Sequence, residues 1–446
     1  MPDDVRPGRP TPTPAGEGPP RSTPVTETTA RTGGFAERLA PRILGRDFRW
    51  LWGSSTLTNL GDGVLLAAGP LLVTTITREP FAVAMAVFLQ QLPWVILGIP
   101  AGAIVDRVDR RRLSIVVNLS RAFVLGLLAL TVATGTVSLP VILVAMFLIG
   151  TAETFADNAG GALIATSVPK EHLGLANARL SGTRIFTNQL AGPPLGALLF
   201  GIGMALPFGV DAVCAFAGAV LIARLAPRPP VDTSAPSRHI RHEIADGMRW
   251  LWRHPPVRAL ALTIFFFNVT FGAAMSVYVL LATERFGLDD LGYGLLLTVG
   301  AVGGLVGSTA YPWLERRFEL STLMRAGLLL ETVTHLVLAT TTSALVAAAT
   351  MTLFGIHAVV WGTTSTTVRQ RAVPSSLLGR VTSVYMLGNV GGSALGALIG
   401  GLLAQRFGVT APFWFGFFGS AILLTLIWGT LAEIAHTPAQ ADIETA

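Results

Sequence analysis

The feature that most constrains this chain is a series of twelve apolar runs, each long enough to cross a lipid bilayer. About 20 apolar residues span the hydrocarbon core as an α-helix. The approximate runs are residues 50–75, 81–105, 113–134, 139–166, 174–201, 204–224, 257–283, 291–313, 321–341, 344–368, 377–404 and 411–432. Of the 446 residues, 51% are hydrophobic and 13% charged, which a water-soluble globule could not accommodate. The sequence therefore predicts an all-α membrane protein with twelve transmembrane helices.

The basic residues are distributed unevenly between the two sides of these runs. Of the 32 Lys and Arg residues, only Arg78, Arg285 and Arg406 fall in the odd-numbered connectors, whereas 24 flank the other side. By the positive-inside rule, this asymmetry predicts a multi-pass protein of the cytoplasmic (inner or plasma) membrane with both termini in the cytoplasm. The net charge of +6 is thereby attributed to topology, and no nucleic-acid partner is expected.

The runs divide into two sets of six, separated by a long connector. The predicted parts are a disordered cytoplasmic tail, a first six-helix half, a cytoplasmic linker, a second six-helix half and a cytoplasmic C-terminal tail, at residues 1–40, 41–226, 227–256, 257–434 and 435–446. Within the linker, Ile240, Ile244, Met248 and Leu251 share one helical face. This spacing predicts an amphipathic helix over residues 238–253, lying on the membrane interface.

The two halves share short matching segments. Residues 195–201 read LGALLFG and residues 395–401 read LGALIGG, and a second match joins 167–174 to 372–379. Both matches fall on the fifth and eleventh runs, as a parallel six-plus-six repeat requires. The sequence therefore predicts two pseudo-symmetric halves that alternate access to a central site.

A charged motif follows the second run. Gly102, Asp106, Arg107, Arg110 and Arg111 have the spacing G-x-x-x-D-R-x-x-R-R, which resembles the cytoplasmic signature of the major facilitator superfamily. The resemblance implies the major facilitator fold and a gating latch that releases when the two halves rock. The alternative is that these arginines serve topology only.

The fifth run carries a second resemblance. Gly192, Pro193, Pro194 and Gly196 are similar to the Gly-Pro signature of superfamily antiporters. The resemblance implies a kinked helix whose small residues face the other half. A helix that merely bends is the alternative.

Two further stretches narrow the match. Residues 47–52 (DFRWLW) and 246–255 (DGMRWLWRHP) resemble the third drug:proton antiporter family, which includes macrolide-efflux proteins and the enterobactin exporter. The resemblance implies a monomeric drug-resistance antiporter that exports small molecules and is driven by the proton gradient without a cofactor. Residues 147–155 depart from the pattern, because they lack the fourth-helix arginine of many such antiporters.

Asp62 lies near the middle of the first run. A charge at that depth is costly, so it needs a partner or a function. Proton exchange at Asp62 would suit a proton-coupled carrier, and its carboxylate could bind a cationic substrate. The alternative is a permanently hydrogen-bonded packing residue, with Asn59 as its partner.

Three more ionisable residues lie in the third and fourth runs. Glu153 and Asp157 are four apart, so they share one face of a helix. We predict that Arg121 pairs with Asp157 or Glu153, which leaves one carboxylate free to bind a proton. A purely structural ion-pair network is the alternative.

The second half has two similar pairs. Glu331 and His335 are four apart on the ninth run, and His357 and Trp361 are four apart on the tenth. A histidine there could relay protons, although a hydrogen-bonded core histidine is the alternative. No metal site is expected, because the two histidines lie on different helices without a Cys or Asp cluster.

No catalytic motif is found, and no GxxxxGK[ST] loop that would bind ATP. The sequence thus predicts a secondary active transporter, not an enzyme, that exports amphipathic, drug-like or macrolide-like molecules in exchange for protons. Two alternatives stay open: an exporter of a siderophore or other endogenous metabolite, and a non-transporting membrane sensor.

Overall fold

The computed structural model describes residues 42–226 and 240–431, and the predicted terminal tails and the first part of the linker lie outside these residues. The described residues form helices and no strands. The helices are α1 Gly45–Ile76, α2 Pro80–Arg107, α3 Arg110–Ala133, α4 Leu139–Ser167, α5 Leu173–Ile202, α6 Leu206–Ala223, α7 Ile240–Arg253, α8 Pro255–Met275, α9 Asp290–Arg317, α10 Leu320–Thr340, α11 Ala344–Ala372, α12 Ser375–Phe407 and α13 Ala411–Ile427.

Twelve of these helices correspond to the twelve apolar runs, and α7 is the linker helix. Ten helices in the described part of the chain are long and apolar enough to cross a membrane, and α13 is a shorter apolar helix. The twelfth helix that corresponds to an apolar run is α5, which is interrupted by a π-helical segment, Ile185–Ala191. The predicted all-α, twelve-helix fold class is confirmed. The run predicted over 257–283 ends earlier, because α8 stops at Met275 and a short helix, Tyr278–Leu280, and a π-turn, Leu281–Arg285, follow it.

Several helices begin at residues suited to a helix N-terminus. Asp109 accepts hydrogen bonds from the backbone N–H groups of Arg111 and Arg112 at 2.9 and 3.1 Å. Asp289 accepts one from the Gly292 N–H at 2.8 Å. These side chains satisfy backbone donors that have no partner within the helix.

The helix α5 packs tightly on α1 through its glycines. A Cβ at Gly192 would lie 2.5 Å from the Gly63 backbone, and one at Gly196 would lie 2.2 Å from the Val64 carbonyl oxygen. Pro193 and Pro194 have no N–H to donate to the preceding turn. The Thr298 hydroxyl of α9 lies 3.5 Å from the Leu190 carbonyl of that turn. The Gly-Pro segment therefore joins α1 on one side to the second half on the other.

The apolar core is distributed unevenly along the bundle. We call the end with the connectors α2–α3, α4–α5 and α9–α10 the basic end. The largest buried cluster lies at the opposite end and includes side chains of both halves, among them Leu72, Phe208, Val277 and Leu296. Each of the smaller clusters, nearer the basic end, contains side chains of one half only. One cluster of the second half also includes side chains of α7. The two halves are therefore packed together at the end opposite the basic end.

The linker helix α7 is observed where it is predicted, but it also packs on the second half. Leu251 is buried against Val257 and Val381. A Cβ at Gly247 would lie 3.0 Å from the Arg380 backbone, and Asp246 lies 3.6 Å from the Arg380 guanidinium. Met248, which shares the predicted apolar face, is exposed. The helix is therefore anchored to α12.

The α1–α5 packing predicts a contrast between two glycines of α5. Gly196→Ala should lower the free energy of unfolding by about 1–3 kcal/mol, because its methyl group would overlap the Val64 carbonyl. At Gly201 a methyl group would have no described atom within 4 Å outside the nearby backbone of its own helix. The free energy of unfolding of Gly201→Ala should therefore equal or exceed that of wild type. Thermal unfolding in detergent measures both, and equal melting temperatures would contradict the packing described.

Candidate functional site

A cavity of about 390 Å³ lies inside the first half. Its lining residues come from α1 to α6, and polar or charged side chains are frequent among them: Ser54, Ser55, Thr58, Asn59, Asp62, Gln90, Ser114, Asn118, Arg121, Glu153, Asp157, Asn177, Ser181, Arg184 and Asn188. Such a polar lining in a membrane-spanning bundle is the usual sign of a substrate or ion pathway.

The centre of the cavity wall is an ion pair between α1 and α3. The Arg121 guanidinium donates a hydrogen bond through Nη2 to Asp62 Oδ1. The Arg121 side chain is 2% exposed and that of Asp62 is 23% exposed. Both residues line the cavity, and Asp62 is the more exposed member of the pair.

The prediction that Arg121 pairs with Glu153 or Asp157 was wrong. Arg121 pairs with Asp62, because its side chain lies between α3 and the helices α1 and α6. Asn59 is not the partner of Asp62 either. Its side-chain amide donates to the Ser55 carbonyl at 2.7 Å, within its own helix.

A second carboxylate beside Arg121 was missed in the sequence. Asp211 of α6 is 1% exposed, and its Oδ1 lies 3.8 Å from Arg121 Nη2. The signal was available, because Asp211 is an acidic residue inside an apolar run. The cost of an intramembrane charge, the argument applied to Asp62, applies equally here.

The other predicted carboxylates of the first half line the same cavity. Glu153 is half-buried and Asp157 is exposed to the open space. Arg184, near the π-turn of α5, also lines the cavity. The cavity therefore collects three carboxylates and two guanidinium groups.

The predicted residues of the second half form a separate buried cluster. Glu331 lies 3.6 Å from His335 Nε2 and 3.4 Å from His357 Nε2. Gly416 and Gly327 make room for the two imidazoles, since a Cβ at either would lie within 2.6 Å of a ring atom. Trp361 is buried one turn from His357, with its ring centroid 6.1 Å from the imidazole. Thus α10 and α11 bring together the two pairs that the sequence left apart.

A further intramembrane arginine was also missed. Arg369 of α11 is 5% exposed, and its guanidinium carbon lies 4.1 Å from the centroid of the Tyr385 ring. The sequence count treated it as one of the flanking basic residues. Cation–π contact with an aromatic ring offsets part of its burial cost.

The predicted gating motif lies at the basic end of α2 and α3. Arg107 is exposed, and the Asp106 side chain lies outside the described side chains. The Arg111 guanidinium donates to the Ala223 carbonyl of α6, within the same half. A Cβ at Gly102 would make an ordinary contact with Asn158, at 3.6 Å, so this glycine is not required for close packing. The latch role of the motif stays a prediction.

Comparison with known proteins places the chain in a family. The family model described as "Transmembrane secretion effector", a major facilitator family, matches residues 37–444. The chain belongs to this family. Its members and relatives are transporters and not enzymes, and this chain is a multi-pass membrane transporter.

Two relatives and one solved structure illustrate the similarity. The chain is 27% identical to the multidrug efflux pump Tap of Mycolicibacterium fortuitum over 378 residues, covering 79% of this chain and 88% of Tap. It is 23% identical to the enterobactin exporter EntS of Escherichia coli over 401 residues, covering 88% and 94%. A point mutant of the nucleoside transporter NupG superposes with a TM-score of 0.72 at 10% identity, covering 86% of this chain and all of that one. The superposition shows the shared fold alone.

The buried ion pair predicts a contrast between two arginines of α3. Arg121→Gln should lower the free energy of unfolding by about 3–5 kcal/mol, because it leaves Asp62 and Asp211 without their cation. Arg112→Gln removes only an exposed pair, 3.5 Å from Asp109, and should cost less than about 1 kcal/mol. The measurement is thermal unfolding in detergent at constant pH. Similar losses in the two variants would show that the Arg121 pair is not a buried structural contact.

Proposed function

We propose that this transporter exports amphipathic, cationic small molecules from the cytoplasm in exchange for protons. The observation that carries the proposal is Asp62, which is paired with a buried arginine yet exposed to the cavity. A carboxylate in that position can bind either a proton or a cationic group. Competition between the two gives antiport when the site alternates its access with one of them bound. Glu153 and Asp157 add negative charge to the same cavity and would attract the cation.

Alternating access would use the packing around α5. The turn that carries Asp62 also carries Gly63, which contacts α5 at Asn188 and Gly192. On its other side, α5 contacts α9, where a Cβ at Gly294 would lie 2.7 Å from the Pro193 carbonyl. A change at Asp62 can therefore reach the interface between the halves through one helix. The charged motif at 102–111 would latch the basic end when the opposite end opens.

The second-half cluster of Glu331, His335 and His357 is proposed to take part in proton movement. An imidazole can take up and release a proton, and one carboxylate here faces two imidazoles. The cluster is not among the residues that line the first-half cavity. Its part would be to hold protons, and not to contact substrate.

The proposed orientation puts the basic end in the cytoplasm. The cavity is lined by Asn177 and Ser181, near the basic end of α5, so it would be loaded from the cell interior. A cysteine introduced at exposed Thr136, in the α3–α4 connector, should react with an impermeant maleimide added to intact cells. A cysteine at exposed Glu171, in the α4–α5 connector, should react only after the cells are opened. Cys214 is buried and is replaced by Ser in both variants. The reverse labelling pattern would refute the orientation and the direction of transport.

The coupling is tested in inside-out vesicles whose lumen is acidified and whose pH gradient is reported by a quenched dye. Addition of a transported cation should release lumenal protons and restore the dye's fluorescence. Asp62→Asn should reduce this response to that of vesicles lacking the protein, because the amide cannot exchange a proton. Glu171→Gln, an exposed carboxylate outside the cavity, should respond like wild type.

The result that would contradict the proposal is an undiminished response in folded Asp62→Asn. The panel should contain tetraphenylphosphonium, ethidium, macrolides and catecholate siderophores. A response to the siderophores alone would show that the substrate is anionic and not cationic.

That anionic cargo is the second candidate function. It is favoured by the two guanidinium groups, of Arg121 and Arg184, that line the cavity, and by the similarity to an enterobactin exporter. Arg184 is exposed to the cavity, and it would hold the anionic group of such a substrate.

A further inference from the structure

The carboxylate of Asp211 has an unusual environment for a charged group. It is 1% exposed, it does not line the cavity, and neither of its oxygens has a hydrogen-bond partner among the described residues. A buried polar group without a hydrogen bond is costly and calls for an explanation.

The chain makes room for this carboxylate next to Asp62. A Cβ at Gly61 would lie 1.9 Å from Asp211 Oδ1 and 2.8 Å from its Cγ, so the glycine leaves the space that this carboxyl group occupies. Asp211 Oδ1 lies 3.8 Å from Arg121 Nη2, and Arg121 Nε is also buried without an acceptor. One guanidinium thus lies between two carboxylates, and one of these is left without a hydrogen bond.

The two carboxylates differ in access. Asp62 faces the cavity, where a proton or a cationic substrate arrives, whereas Asp211 lies behind it. When Asp62 is neutralised, its attraction for Arg121 is lost. An uncompensated guanidinium at this depth would be strongly unfavourable.

We propose that Asp211 is a positioning residue that serves as the alternative counter-ion of Arg121. When Asp62 binds a proton or a cationic substrate, Arg121 forms its ion pair with Asp211. When Asp62 is ionised and has no ligand, Arg121 pairs with Asp62 again. The proposal rests on the proton-coupled function given above. No covalent bond changes except the O–H bond that forms when a proton from the cavity binds Asp62.

The charge balance explains why proton and substrate would exclude each other. With Asp62 protonated, Arg121 and Asp211 neutralise each other. With Asp62 ionised, the three groups carry one net negative charge, which attracts a cation. The other charged or titratable groups nearby are Glu153 and Asp157 of α4, Arg184 of α5 and the Cys214 thiol of α6.

The first test is a stability cycle that does not depend on transport. Asp62→Asn and Asp211→Asn each leave one carboxylate for Arg121, so each should lower the melting temperature modestly. The double variant leaves the guanidinium without either of the carboxylates within 4 Å, and its loss should exceed the sum of the single losses by about 5 °C or more. Additive losses would overturn the shared counter-ion.

The double variant is informative even if it fails to fold. Adding Arg121→Met removes the stranded charge, and this triple variant should recover a folded protein. A triple variant that stays unfolded would overturn the proposal, because the defect would then lie in packing and not in charge.

The second test separates positioning from structure by a pH profile. Binding of tetraphenylphosphonium to detergent-purified protein is measured from acidic to neutral pH in wild type, Asp211→Asn and the control Cys214→Ser. In Asp211→Asn, protonation of Asp62 would strand Arg121, so the midpoint at which protons displace the cation should move about one unit to lower pH. Cys214→Ser should keep the wild-type midpoint.

An unchanged midpoint in folded Asp211→Asn would assign Asp211 a structural role only. If wild type itself fails to bind the cation, the proposed cationic substrate is wrong. The stability cycle still tests whether Asp62 and Asp211 share Arg121 as their counter-ion.

Discussion

The constraint on which the rest of the structure depends is a single guanidinium held inside an apolar bundle. An isolated charge at that depth is unfavourable by several kcal/mol, so Arg121 requires carboxylates within contact distance. Asp62 and Asp211 supply them from α1 and α6, which pack against each other beside Arg121. The glycines on either side of Asp62 follow from the same requirement, because Gly61 admits Asp211 and Gly63 admits α5. Close packing and charge compensation are therefore one arrangement.

The two halves place buried charge at equivalent positions but with opposite sign. Arg121 and Glu331 each lie eleven residues after the first residue of α3 and α10. In the first half a cation lies between two carboxylates, and in the second a carboxylate lies between two imidazoles. The repeat thus preserves the depth of the charge and not its chemistry. In the position that corresponds to Asp62, the second half has an apolar packing region around Phe267 and Trp361.

The fold was predictable from the sequence because it depends on properties of single helices. Run length, the arginine asymmetry and the repeated segment on α5 and α12 are all visible without knowing which helices touch. The π-helical segment in α5 was not predicted, although Gly192, Pro193 and Pro194, which directly follow it, were singled out in the sequence.

The site was only partly predictable for the same reason. Asp62 was found because one buried charge can be recognised in one helix. The partner of Arg121 was predicted on α4 and lies on α1, because which helix faces α3 is a tertiary property. Asp211 was missed although its apolar run was recognised. The argument applied to Asp62, that a charge inside an apolar run needs a partner or a function, holds for every acidic residue in such a run. Glu331 and His335 were identified as one pair and His357 and Trp361 as another, while the contact between the two pairs depends on the packing of α10 against α11.

The most direct measurement of the central claim is infrared difference spectroscopy of the purified transporter on addition of tetraphenylphosphonium at mildly acidic pH. If the cation displaces a proton from Asp62, the spectrum should show the loss of a protonated carboxyl band and the gain of a carboxylate band. Both changes should be absent in Asp62→Asn and retained in Glu171→Gln. A spectrum in which the cation binds without any carboxyl change, or in which Asp62→Asn retains the change, would contradict the account.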